Sequence, residues 1–357
     1  MGKTKSAKPN MTGPAIEDTT SLATEDKTAV AKEDKSGRAK PEKSGFLRGL
    51  KKHLRLIVQA AWGLITNGYA RGFMPGNPRI YDGPLKHFCV PGMNCYSCPG
   101  ALGACPIGAL QASLTDRNRR FPFYVLGFLT AVGVLVGRFI CGWLCLFGLI
   151  QELLYRIPTP KLKIPARLDK PLRYLKYAVL AVLVVGLPLL YRTRYGAGIP
   201  FFCEFVCPVG TLEGGVPLVL LNNALRPALG WLFVWKMVLL VLCIAASIFI
   251  YRPFCKYLCP LGAFYSLFQK FSLLRMNVDA EACTNCGACS RACAMNVDPS
   301  RKPNSAECIR CGECMKACPQ KALAFTVAGR RILAGEKSPA GRSSKSGKTG
   351  KREGSST

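Results

Sequence analysis

Histidine is nearly absent: His53 and His87 are the only two in 357 residues, and neither lies in a strongly apolar run. That excludes a b-type haem held by paired histidines inside a bilayer and leaves little for histidine-based catalysis. Charge is sparse too. Asp, Glu, Lys and Arg make up 19% of the chain, where a soluble domain carries about a quarter. Acidic side chains are scarcest, 20 against 49 basic ones, for a net charge of +29. The chain has neither a Gly-x-Gly-x-x-Gly turn after a strand nor a P-loop, so it offers no nucleotide or flavin fingerprint. More than forty polar residues precede the first apolar stretch, so no secretory signal is expected at the start.

Apolar residues and sulfur are what is present. Hydrophobic residues reach 49% and mean hydropathy is +0.17, despite two polar, basic, aromatic-poor ends (1–45 and 329–357) that cannot bury enough surface to fold. Those ends lack the aromatic interleaving of a nucleic-acid surface and suit an anionic inner leaflet better. Between them, Phe121 to about Ile140, Tyr174 to Tyr191 and about Leu229 to Tyr251 meet the ~20-residue need of a spanning helix. Leu54 to about Tyr69 is a weaker fourth, with an interfacial amphipathic helix as its rival; Val216 to Leu221 is too short to cross. An arrangement with both termini in the cytoplasm places fifteen Lys and Arg inside against nine outside, as the positive-inside rule favours, although the Arg117–Arg120 cluster opposes it.

The nineteen cysteines fall into two patterns. Cys283-x2-Cys286-x2-Cys289-x3-Cys293 and Cys308-x2-Cys311-x2-Cys314-x3-Cys318-Pro319 read as a two-cluster ferredoxin. The fourth cysteine of each run serves the other cluster. Cys283, Cys286, Cys289 and Cys318 would hold one [4Fe–4S] centre, and Cys308, Cys311, Cys314 and Cys293 the other, with a pair of zinc sites as the alternative. Gly287, Ala288 and Gly312 suit a loop wrapped closely round a cluster. The second pattern is Cys, Pro or Leu, an apolar residue, then Gly, at Cys105, Cys145, Cys207 and Cys259. Cys141, Cys203 and Cys255 stand four residues before three of these, and Cys98 stands seven before Cys105. The segment from Arg138 to Gly148 aligns without a gap on that from Arg252 to Gly262, so a helical hairpin is duplicated about an axis along the membrane normal. That symmetry joins Cys141, Cys145, Cys255 and Cys259 in an inner site, and Cys98, Cys105, Cys203 and Cys207 in an outer one. Packing cysteines are the rival inside and disulfides outside. Cys89 and Cys95 remain as a disulfide or alternative ligands, and Cys243 as a buried small hydrophobe.

These boundary pairs, followed by two ferredoxin runs, resemble the NapH-, NosR- and CcoG-type membrane ferredoxins over about residues 50 to 325. Leu146 and Ala294 stand where that pattern has Pro. The resemblance implies a four-helix membrane core, a cytoplasmic ferredoxin domain, and electron transfer involving the quinone pool and an extracytoplasmic redox partner. The expected fold is a mainly α membrane protein. A four-helix transmembrane core (46–272) built from a duplicated hairpin precedes a small α+β two-cluster ferredoxin domain (273–328). Lys236, inside the last span, is a candidate contact for a quinone headgroup or a snorkelling anchor. Arg138 and Arg252 are candidate cations beside a cluster or simple anchors. The expected function is an iron–sulfur electron relay in the cytoplasmic membrane. An assembly or regulatory factor that reduces a metal or senses redox state is the second reading, and a transporter with an appended ferredoxin the third.

Overall fold

The computed structural model describes residues 44–74, 80–116, 121–162, 164–191 and 198–334. The two basic ends up to residue 43 and from 335, with Arg79, Arg117, Arg119, Arg120, Lys163, Arg192 and Arg194, lie outside the described residues. The helical part runs α1 (Ser44–Thr66), α2 (Pro106–Thr115), α3 (Phe123–Val136), α4 (Phe139–Trp143), α5 (Leu146–Tyr155), α6 (Arg167–Leu190), α7 (Pro208–Leu221), α8 (Trp231–Phe249), α9 (Pro253–Tyr257) and α10 (Pro260–Phe268).

α6 and α8 are long and apolar enough to cross a bilayer. Only 11% of the apolar stretch of α8 is buried, whereas a soluble core helix buries most of its surface. α3 is shorter than expected because Gly137, at φ +54°, stops it before Arg138. The short apolar patch at Val216 is the end of the longer α7. α1 is inverted relative to a soluble amphipathic helix. It buries Arg55, Gln59, Gly63 and Thr66, one stripe at helical spacing, and turns Leu64 (75% exposed) and Ile65 outward. Exposed apolar side chains over buried polar ones suit a helix bathed in lipid rather than water.

The duplication is visible in the packing. α3 lies on α10 and α8 lies on α5, so the long helix of each half contacts the short helix of the other. After α10, β1 (Leu274–Val278), β2 (Leu323–Val327) and β3 (Arg330–Ala334) form an antiparallel sheet in the order β1-β2-β3. Helices α11 (Ala288–Arg291) and α12 (Glu313–Ala317) stand between β1 and β2. The expected domain end at 328 cuts this sheet. Ala328 and Gly329 both have positive φ, which makes the tight turn that returns β3 onto β2.

Candidate functional site

The Cys-(Pro/Leu)-x-Gly pattern builds the same local structure four times. Cys105, Cys145, Cys207 and Cys259 each have extended backbone and each caps the N-terminus of a helix. Proline explains three of them, because it excludes the α region for the residue before it and is favoured at the first helical position. Leu146 keeps the same geometry in the fourth. The Gly three residues on then donates its N–H to the sulfur: Gly210 to Cys207 Sγ at 3.4 Å and Gly262 to Cys259 Sγ at 3.3 Å. After each of these cysteines the chain starts a helix. The two cysteines of each inner pair do not share one continuous helix, since α4 ends at Trp143 and α9 at Tyr257, before the second cysteine of each pair.

The inner set comes together across the two halves. Cys141, Cys145 and Cys259, drawn from both halves, pack in one buried core cluster, and Cys255 is buried too. Gln151 Nε2 of the first half donates to Cys255 Sγ at 3.1 Å. The arginines are exchanged between halves: Arg252 Nη1 donates to the Cys141 carbonyl at 2.6 Å, and Arg138 Nη2 to the Cys255 carbonyl at 3.1 Å. Both arginines are fully buried, so neither is a surface anchor. Gly148 and Gly262, at matching positions, leave room for the opposite guanidinium, which a Cβ would meet at 3.0 and 3.4 Å. Arg252 also holds a left-handed backbone (φ 47°), a conformation that costs a non-glycine ~1–2 kcal/mol. Glu152 binds Arg252 at 2.8 Å and Arg55 of α1 at 2.9 Å. Removing one partner from a buried ion pair costs about 3–5 kcal/mol. Arg252→Met is therefore expected to lower stability by about 3 kcal/mol, near the low end because Glu152 keeps Arg55; denaturant titration of the purified protein measures it.

In the ferredoxin part, Cys283, Cys286, Cys289 and Cys318 line one cavity, the cross-run set that the spacing predicts. Cys293, Cys308, Cys311 and Cys314 act on one another electrostatically. Burial pushes the Cys308 thiol up to about 11. Exposed Cys286 is lowered, first by the N–H of Ala288 at the start of α11. The second set faces the helical core. Trp143 Nε1 donates to the Arg310 carbonyl at 3.0 Å, and Gln269 Nε2 to the Cys308 carbonyl at 2.9 Å. A Cβ at Gly142 would collide with the Ile309 carbonyl oxygen, so only glycine allows this approach. Cys293 and Cys311 pack against the same core cluster as Cys141, Cys145 and Cys259.

In the outer set Cys95, kept open as an alternative ligand, stands where Cys98 was expected. A Cβ at Gly108 would meet Cys203 Sγ at 3.9 Å, and one at Gly210 would meet Cys95 Sγ at 3.6 Å. Cys95 therefore mirrors Cys203 across the axis. Cys89, Cys95, Cys105, Cys203 and Cys207 line a cavity of about 810 Å³, and buried Cys98 does not. Lys236 lines the same cavity and donates to the Cys203 carbonyl at 3.4 Å, so its ammonium turns inward instead of snorkelling. All nineteen cysteines are among the described residues and all are free thiols; neither Cys89 nor Cys95 is in a disulfide.

The two sets are also closer than hydropathy suggests. The loop that carries Cys89 and Cys95 enters the core, where a Cβ at Gly92 would lie 3.4 Å from Cys145 Cα. Tyr265 Oη donates to the Pro91 carbonyl at 3.0 Å. Three residues take the chain from Gly92 to Cys95, at most about 11 Å, against ~30 Å for a hydrocarbon core.

These residues fit iron–sulfur clusters. Each donor set is all cysteine, and Gly N–H groups are aimed at sulfur. The structural carboxylates Glu152, Asp169 and Glu307, with Gln151 and Tyr265, escaped the sequence reading. An acid inside the mostly apolar α5 was the one signal for Glu152.

The chain matches the 4Fe-4S binding domain family over 121–165, 178–217 and 231–278, and the 4Fe-4S dicluster domain family over 275–319. An uncharacterized protein of Methanocaldococcus jannaschii is 31% identical over 203 residues, 55% of this chain and 74% of that one. The methylamine utilization ferredoxin-type protein MauN of Methylorubrum extorquens is 33% identical over 163 residues, 45% of this chain and 48% of that protein. The regulatory protein NosR of Stutzerimonas stutzeri is 28% identical over 182 residues, 49% of this chain and 22% of NosR. No solved structure matches the chain.

Proposed function

Since the chain belongs to the NosR/NapH-like 4Fe–4S ferredoxin family, we propose that it is a four-span membrane electron-transfer protein. In this reading both termini are cytoplasmic, and it relays electrons between its ferredoxin domain, the quinone pool and an extracytoplasmic redox partner. The observation that carries this reading is the close sequence of cysteine sets through one core. The Ile309–Cys311 loop lies on Gly142 and Trp143, and Gly92 lies on Cys145. A bound 4Fe–4S cluster supplies one-electron chemistry at a potential set by nearby charge, hydrogen bonds and burial.

The protein's own groups do the rest. Cys283, Cys286, Cys289 and Cys318 would hold the exposed cluster, and Cys293, Cys308, Cys311 and Cys314 the one against the core. Cys141, Cys145, Cys255 and Cys259 would hold the inner centre, and Cys95, Cys105, Cys203 and Cys207 the outer one. Arg138 and Arg252 place buried positive charge beside the inner set, and Gly N–H groups stabilise the sulfurs that they face. Lys236 and Tyr124 line the outer cavity, where a quinone headgroup would find a donor. The exposed apolar faces of α1, α6 and α8 keep water from these buried groups.

Iron and acid-labile sulfide analysis of purified protein tests the reading. About sixteen iron atoms per chain are expected for four cubanes; about eight would confine the clusters to the ferredoxin domain and end the relay through the core. The second reading, a factor that assembles or regulates a respiratory metalloenzyme, draws on the similarity to NosR, whose name describes a regulatory protein. Gene deletion separates them. Loss of a relay stops respiratory flux while the partner enzyme stays mature, whereas loss of an assembly factor leaves that enzyme without its metal.

A further inference from the structure

The duplicated halves are not charged alike. Positions 114 apart correspond, so Arg138 matches Arg252, Cys141 matches Cys255 and Gly148 matches Gly262. In the first half Glu152 neutralises two buried cations: Arg252, which reaches across from the second half, and Arg55 of α1. The position that corresponds to Glu152 is Ser266, which has no charge. Yet an equivalent pair of cations meets beside the second half, Arg138 reaching across from the first. Arg138 and Lys176 of α6 are both fully buried. Two buried cations with no counter-ion would be strongly destabilising.

The missing carboxylate comes from the ferredoxin domain. Glu307 Oε2 accepts from Arg138 Nη1 at 3.0 Å, and Glu307 Oε1 from Lys176 Nζ at 2.5 Å. Arg138 Nη1 also donates to the Ala306 carbonyl at 2.8 Å. Ser266 faces the same place, with its hydroxyl 2.6 Å from that of Tyr177, the neighbour of Lys176. Glu307 is itself buried, and Cys308 follows it directly.

We infer that Glu307 is a docking latch: it supplies the carboxylate that the second hairpin lacks at position 266, and so fixes the Cys308–Cys314 loop against the inner cysteine set. Ser266 in place of an acid leaves Arg138 and Lys176 as a pair of cations that accepts a carboxylate from the ferredoxin domain, and this gives the docked domain one orientation on the duplicated bundle. Glu307 is thus a positioning residue that acts through Arg138. The inference rests on the duplication and not on the direction or partners of electron flow. It survives if the relay reading fails.

Hydrogen exchange on the full-length, cluster-loaded protein in detergent tests it, with iron content as the control for folding. Glu307→Gln should raise exchange at least tenfold at Trp143 and in the 309–311 loop, and leave exchange in the α5–α8 contact unchanged. Glu307→Asp should restore most of the protection. If Glu307→Gln does not accumulate with its iron, Ser266→Glu in the otherwise unchanged chain replaces it. The new carboxylate should capture Arg138 and Lys176 and release the 309–311 loop, with the same rise in exchange. Unchanged protection of that loop in the loaded Glu307→Gln protein, or in Ser266→Glu where that variant replaces it, overturns the latch.

Discussion

Serine at Cys141 or at Cys255 is expected to remove the same low-temperature EPR signal and about four iron atoms per chain. The two residues are 114 positions apart and lie in different halves of the bundle, so only a shared centre makes their losses identical. The geometry supports sharing, because each cysteine's carbonyl is held by the arginine of the opposite half, Cys141 by Arg252 and Cys255 by Arg138. The double variant should lose no more iron than either single one, since residues that act as one unit are not additive. Signals from the ferredoxin runs should persist: their eight cysteines lie on other elements, and the exposed set packs with the sheet and not with the bundle. If each single variant keeps its full iron complement, the inner set consists of packing thiols and the helical part serves as an anchor.

The duplication was legible because proline and glycine imprint it on the chain. Proline forces the preceding cysteine into extended backbone, and Gly three residues later leaves room for the opposite arginine; both demands fall on residues that a reader can see. The ferredoxin runs were legible for a similar reason, since cluster ligation fixes their spacing. Hydropathy served less well for α1 and α3. Gln59 and Thr66 look like interruptions of a span until their burial shows that they face a polar interior. Glu307 gave no signal at all, because its partners Arg138 and Lys176 lie more than 130 residues away and meet it only in the folded core. The pairing of β3 with β2 beyond position 328 gave little signal, because a two-residue turn at Ala328–Gly329 is easily lost beside a basic, polar end. In each case local sequence reported local geometry, and the docking of one element on another stayed silent.

The same distinction bears on the outer site. Cys98 seemed the partner of Cys105 because it is the cysteine nearest before it, seven residues away, much as Cys203 stands four before Cys207. Distance along a loop is a poor guide, however, when the loop folds back on itself. Cys98 donates its N–H to the Cys95 carbonyl at 3.1 Å, and this turn sends the two side chains to different places. Cys95 reaches Gly210 and Gly214 of α7, and its N–H is held at 2.8 Å by Glu213 Oε2 of the same helix. Cys98 stays buried away from the cavity. Cys95→Ser is therefore expected to cost about four iron atoms per chain and one EPR signal, matching Cys203→Ser. Cys98→Ser should keep both, with at most a modest loss of stability, because serine replaces a small buried thiol. Iron analysis of the three variants side by side measures the contrast. The reverse result, with iron lost in Cys98→Ser and kept in Cys95→Ser, would mean that the loop rearranges around its cluster and that spacing, not the fold, selects the ligand.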